Sequence, residues 1–89
     1  MKCVAVCQTA LVARNLHAAL GPSLELDVMV KDRITSRRLH DAGVAARVAD
    51  PRRVDSYVKA DIGPATCIIV EDDGRHSLRL ILRAIIDAG

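Results

Sequence analysis

Residues Met1 to Gly21, MKCVAVCQTALVARNLHAALG, decide how the rest of the chain reads. Cys3-Val4-Ala5-Val6-Cys7 is a short apolar run with no charge after Lys2. That is the pattern of a strand buried on both faces. Gln8-Thr9 breaks the run, and apolar residues return at helical spacing: Leu11, Val12, Leu16 and Leu20 fall on one face, and Gly21 stops the helix. A buried strand running through a tight turn into a helix opens doubly wound α/β folds, where the turn and the first helical N–H groups form an anion site. The G-x-G-x-x-G that fits such a turn to a dinucleotide is missing. Its six positions read Cys7-Gln8-Thr9-Ala10-Leu11-Val12, without a glycine.

The same alternation continues outward from this unit. Leu24 to Val30 reads as a second strand closed by Lys31-Asp32. Thr35 or Ser36 is placed to cap a short helix over Arg37 to Ala42, ended by Gly43. Val44 to Val48 is a brief third strand. Asp50-Pro51 signals the next helix start, with a carboxylate at the cap and proline in the first turn, and Val54, Tyr57 and Val58 give that helix an apolar face. Ile62-Gly63-Pro64-Ala65 is a turn before the apolar strand Thr66 to Val70. A last helix is expected from about Gly74 to Ala88, with Leu78, Leu80, Ile81, Leu82, Ile85 and Ile86 available to bury. A helix that apolar expects cover on more than one side. The order β-α-β-α-β-α-β-α with short connections implies a three-layer α/β/α fold on a parallel sheet with right-handed crossovers.

Eighty-nine residues make a single domain, 1–89, with a thin stability margin. Tyr57 is the one aromatic residue, which argues against a stacking platform for single-stranded nucleic acid. A net charge of +2 does not by itself imply a nucleic-acid or membrane partner. Arg33, Arg37, Arg38, Arg52 and Arg53 cluster in sequence and read first as solvated helix faces, otherwise as an anion- or partner-binding rim. Three cysteines and no signal peptide suit a reducing cytoplasm, with all three, Cys67 included, expected as small buried hydrophobes. Cys3 and Cys7 would lie roughly 13 Å apart on one strand, too far to bridge. No apolar run approaches the roughly 20 residues of a membrane span. His17 and His40 fall in helices without a partner at ligand spacing and read as surface residues.

Gly43-Val-Ala-Ala-Arg-Val-Ala-Asp50, the span from Asp50 to Ile62, and Ala65-Thr-Cys-Ile-Ile-Val-Glu-Asp-Asp73 together resemble the TrkA-N domain, also called the RCK N-domain, of potassium uptake and channel regulatory proteins. The family pattern ends strand three in "GD", leads through a helix into "A-G-I", and continues "A-D-x-V-I-V" into acidic residues. Here Ala49 replaces the first glycine and Asp61 the glycine of "A-G-I". The resemblance implies a Rossmann fold of which this chain supplies four strands in spatial order 3-2-1-4, as a fragment or shortened form of a longer regulatory protein. Strand four would then be an uncovered edge, which invites a homodimer or higher oligomer.

The resemblance also implies a site for NAD or an adenine nucleotide such as ATP or ADP. Cys7, Gln8, Thr9 and Ala10 occupy the phosphate turn, where the side chains of Cys7 and Thr9 stand in the phosphate's place and Val12 thickens the helix–strand contact. Thr9 can still cap the helix. Asp32 lies twenty residues beyond Val12, the spacing of a ribose-binding carboxylate, and the alternative for it is a helix cap. Lys31, Arg33 and Arg37 flank it. Asp50 and Asp72 reach the same sheet edge. With Asp73 they are the carboxylates of an alternative divalent-cation site, while Asp50 and Asp73 also suit N-caps. His76 and Ser77 lie near where the family carries an asparagine.

No nucleophile has an evident base, so no enzyme is expected in this chain. A phosphoacceptor receiver needs an acidic pair after strand one, where Cys7-Gln8 stands. The expectation is a regulatory nucleotide-binding-type domain with a degenerate glycine motif, partnered with a membrane potassium transporter or a fused domain. The alternative is a non-binding Rossmann-like oligomerisation or docking module, such as the regulatory part of a fused phosphoesterase.

Overall fold

Cys3 to Cys7 are each at most 2% exposed, as a strand flanked on both sides and covered on both faces must be. The computed structural model describes every residue except Asp73, Arg75 and His76, and Ser77 by its backbone only. Its elements are β1 (Lys2–Val6), α1 (Ala10–Leu20), β2 (Glu25–Val30), α2 (Arg33–Asp41), β3 (Ala46–Val48), α3 (Val54–Lys59), β4 (Cys67–Val70) and α4 (Ser77–Ala88). The four strands form one parallel sheet in the order β3-β2-β1-β4. Val4 lies opposite Asp27 on β2 and Ile68 on β4, which puts the carboxyl ends of the strands along one edge.

The alternation of β1 divides the core in two. Val4 and Val6 face Met29, Tyr57, Ala60, Ile81 and Ala84, so α3 and α4 cover that side. Ala5 and Cys7 face Ala13, Val28, Val30, Leu39 and Val44, so α1 and α2 cover the other. The result is the small Rossmann-like α/β/α arrangement. Tyr57 is fully buried, and its hydroxyl donates to the Pro51 carbonyl. Burial, with a smaller contribution from the Asp50 charge, pushes this phenol up to about 12.

Several expected boundaries and faces move. Asp32, not Thr35 or Ser36, caps α2, which therefore starts at Arg33. Gly43 does end it, at φ +81, a left-handed conformation that glycine adopts without a side-chain clash. Asp50-Pro51 starts a turn rather than α3. The Asp50 carboxylate accepts from Arg52 N–H only two residues on, at 2.9 Å, and the helix begins at Val54 with Arg53 as an N-cap lacking a side-chain bond. The inward residue of α1 is Ala13, with Val12 and Leu16 packed beside it, while Leu11 is exposed. Val54 and Val58 are also exposed, so α3 buries Tyr57 rather than an apolar stripe. On α4 the core takes Ile81 and Ala84, with Ile85 packed against them, and Leu80, Leu82 and Ile86 stay exposed. Cys67 is exposed, against the expectation for all three thiols.

Candidate functional site

The turn between β1 and α1 leads to the edge where ligands of open α/β sheets bind. Thr9 caps α1: its backbone is extended, and its hydroxyl oxygen accepts the Val12 N–H at 3.3 Å. Just before the helix, the N–H groups of Gln8 and Thr9 face the same turn. Both are taken. Glu71, the residue after β4, places Oε1 at 2.7 Å from Gln8 N and 3.2 Å from Thr9 N. The Thr9 hydroxyl also reaches Glu71 Oε2 at 3.5 Å. Glu71 is anchored from behind, because its own N–H donates to the Val6 carbonyl at 2.9 Å. A carboxylate from the chain thus stands at the N-terminal end of α1, with the charge sign the α1 dipole favours.

Of the four residues expected in the turn, Gln8 and Thr9 contribute backbone N–H groups and Ala10 begins the helix. Cys7 does not stand in the phosphate's place. Its side chain points into the α1/α2 side of the core, and burial, then the Glu71 charge, pushes the thiol up to about 11. Val12 is only half-buried, and the tight helix–sheet contact falls on fully buried Ala13.

Asp32 closes β2 as expected, and its carboxylate is engaged. Oδ1 accepts the Thr35 N–H at 2.7 Å, and the hydrogen bonds from Thr35 hold the acid below the ordinary aspartate range. Lys31 and Arg33 are exposed on either side of it. Asp50 is bound by Arg52, through Nε at 3.2 Å as well as its N–H, and these bonds likewise lower its pKa. Asp72 is exposed and accepts the Gly74 N–H at 2.9 Å. Asp32, Asp50 and Asp72 are thus each engaged by local backbone or a neighbouring arginine. Among the described residues no three His, Cys, Asp or Glu side chains converge as cation ligands. The proposed contributions of Asp73 and His76, and of the Ser77 side chain, lie outside the described residues.

Glu71 was not among the expected site residues. Its signal in the sequence was only the acidic run after an apolar strand, and its partners stand 63 and 62 positions away. The chain matches no family model, no curated protein and no solved structure.

Proposed function

We propose that this chain is a Rossmann-like docking module that does not bind a nucleotide. The observation that carries this reading is the Glu71 carboxylate on the N–H groups of Gln8 and Thr9. A pyrophosphate entering there must displace an anion already hydrogen-bonded at low entropic cost, without the glycines that let phosphate approach backbone closely. Asp32 would also have to leave the α2 cap or share its carboxylate with a ribose. The apolar surface left exposed on α4 supplies a reason for docking. The TrkA-N resemblance suggests the context, a potassium transport assembly or a fused phosphoesterase.

A second reading, a nucleotide sensor of that family, draws support from Asp32 at the end of β2 and from the strand order 3-2-1-4. Calorimetric titration with NAD, NADH, ATP and ADP, paired with thermal melts, separates the two. A ligand at ~100 times its dissociation constant stabilises by about 2.7 kcal/mol, which a domain of this size reports as a clear shift. The docking module gives no saturable heat and no shift. Binding that Asp32→Ala abolishes would establish the sensor instead.

A further inference from the structure

Arg47, Arg52, Arg53 and Arg83 each have a carboxylate partner, Asp27, Asp50, Asp55 and Asp87 in turn. Helix α2 carries three arginines of another kind. Arg33, Arg37 and Arg38 are exposed, and none forms an ion pair among the described residues. Their placement works against the helix. Arg33 opens a first turn that holds no acidic residue, where the helix dipole disfavours a cation. Arg37 stands one turn further on, and like charges at that spacing repel. The Asp32 carboxylate is taken up by the Thr35 N–H and forms no ion pair with Arg33. Departures from local preference of this sort mark positions whose use lies outside the fold.

Arg33 and Arg37 also form a ridge between two hollows. One, of about 360 Å³, lies where α2 meets the start of β3; Ser36, His40, Ala45 and Ala46 complete it, without a carboxylate. The other, of about 310 Å³, is completed by Ile34, Arg38 and Asp41. Ile34 is 69% exposed beside the ridge.

We propose that this face of α2 docks an acidic amphipathic helix of a partner protein. The proposal rests on the docking reading above and gives the chemistry of the partner. Side chains four residues apart on a helix form a row with the spacing of the Arg33–Arg37 ridge, so such a row fits the hollow beside it. Glutamates in the row next to His40 meet the two guanidinium forks, which bind carboxylates through paired hydrogen bonds. The partner's adjacent row, apolar, lies on Ile34. Asp41 favours this occupant over a nucleic-acid duplex or an anionic membrane. Either of those presents phosphates across its whole surface and sets some of them against the Asp41 carboxylate. A net charge of +2 adds little long-range attraction for either.

Fluorescence anisotropy with the whole chain tests this, using labelled helical peptides of about 18 residues with Glu at every fourth position and Leu in the adjacent row. The expected dissociation constant is on the order of 100 μM, and a scrambled peptide of the same composition binds at least about 10-fold more weakly. Arg37→Glu, at an exposed site that leaves the circular dichroism spectrum unchanged, weakens the complex at least roughly 30-fold. Arg79→Glu makes the same charge change on exposed α4 and leaves binding as in the wild type. Arg33→Glu weakens binding as Arg37→Glu does and raises the melting temperature, because it sets an anion in the first turn. Four results overturn the proposal: no peptide binding at about 1 mM, equal binding of the scrambled peptide, equal loss with Arg79→Glu, or a melting temperature lowered by Arg33→Glu. Tighter binding to duplex DNA or to phosphatidylserine vesicles than to the peptides overturns it as well. Peptide binding judges the α2 face alone, and the nucleotide titration judges the reading beneath it.

Discussion

The Glu71 carboxylate lies 2.7 Å from the backbone nitrogen of Gln8, so the chain supplies its own anion to the N-terminus of its first helix. This bond also ties the carboxyl end of β4 to that of β1, across the junction of edge strand and central strand. One contact thus sets an anion at the start of α1 and fastens an edge strand of the sheet.

Removing that carboxylate has a double consequence. Glu71→Ala leaves the N–H groups of Gln8 and Thr9 without their protein acceptor and costs about 1–2 kcal/mol, read as a drop of several degrees in melting temperature. Glu71→Gln keeps an acceptor oxygen and costs less. Added inorganic phosphate restores part of the lost stability in the alanine variant and has no effect on the wild type. If phosphate stabilises wild type and variant alike, Glu71 does not close the site.

Acid sensitivity follows from Asp32 and Asp50. The Thr35 hydrogen bonds lower the folded pKa of Asp32, and the Arg52 bonds lower that of Asp50. A depressed carboxylate contributes stability above its unfolded value of 3.8, and that contribution is lost as pH falls through the folded value. Melting temperature should therefore fall as pH drops below about 4. Asp32→Asn, which still caps but cannot ionise, flattens that fall, whereas Asp32→Ala lowers stability at neutral pH as well. An acid profile identical in wild type and Asp32→Asn would remove Asp32 from this account.

How far the sequence could be read differs by region, and range explains the difference. β1 and its turn into α1 were legible because a buried central strand and a helix cap are written in adjacent residues. Asp32 carried two local readings, ribose ligand and cap, and spacing alone could not choose between them. The Thr35 N–H, three residues on, shows that the carboxylate caps α2. Asp50-Pro51 misplaced the start of α3 because an aspartate before proline serves an Asx turn as readily as an N-cap. Glu71 was invisible for another reason. Its bond to Gln8 joins residues 63 apart, and only the pairing of β4 with β1 brings them together. The exposed thiol follows the same logic, since β4 has the pattern of a buried strand but sits at the edge where one face lacks a helix.

That exposure makes the cysteines chemically unequal. Cys3 and Cys7 are buried and pushed up to about 11, Cys3 by burial and then by Cys67, its register partner on β4. Iodoacetamide acts on the thiolate, so at pH 8 the native protein should take up one label, at Cys67, and the unfolded protein three. Peptide mass mapping reads the result. Rapid native labelling at Cys3 would show that the edge pairing of β4 with β1 opens readily in the folded protein.

Asp61 is the one non-glycine residue among those described with a left-handed backbone, at φ +56, directly after the end of α3. Glycine is the residue that adopts this conformation without strain. A side chain in this region is strained, and aspartate tolerates it better than most. Asp61 is exposed and forms no ion pair among the described residues, so replacing it loses little else. Asp61→Gly relieves the strain at the cost of a more flexible unfolded chain, for a net gain of about 0.5 kcal/mol, or roughly 2–4 °C in melting temperature. Asp61→Val, which adds β-branching at positive φ, should lose more than about 1 kcal/mol. Thermal melts of the two variants beside the wild type give the order Gly above Asp above Val. An inverted order would mean that the turn after α3 relaxes out of the left-handed region in solution.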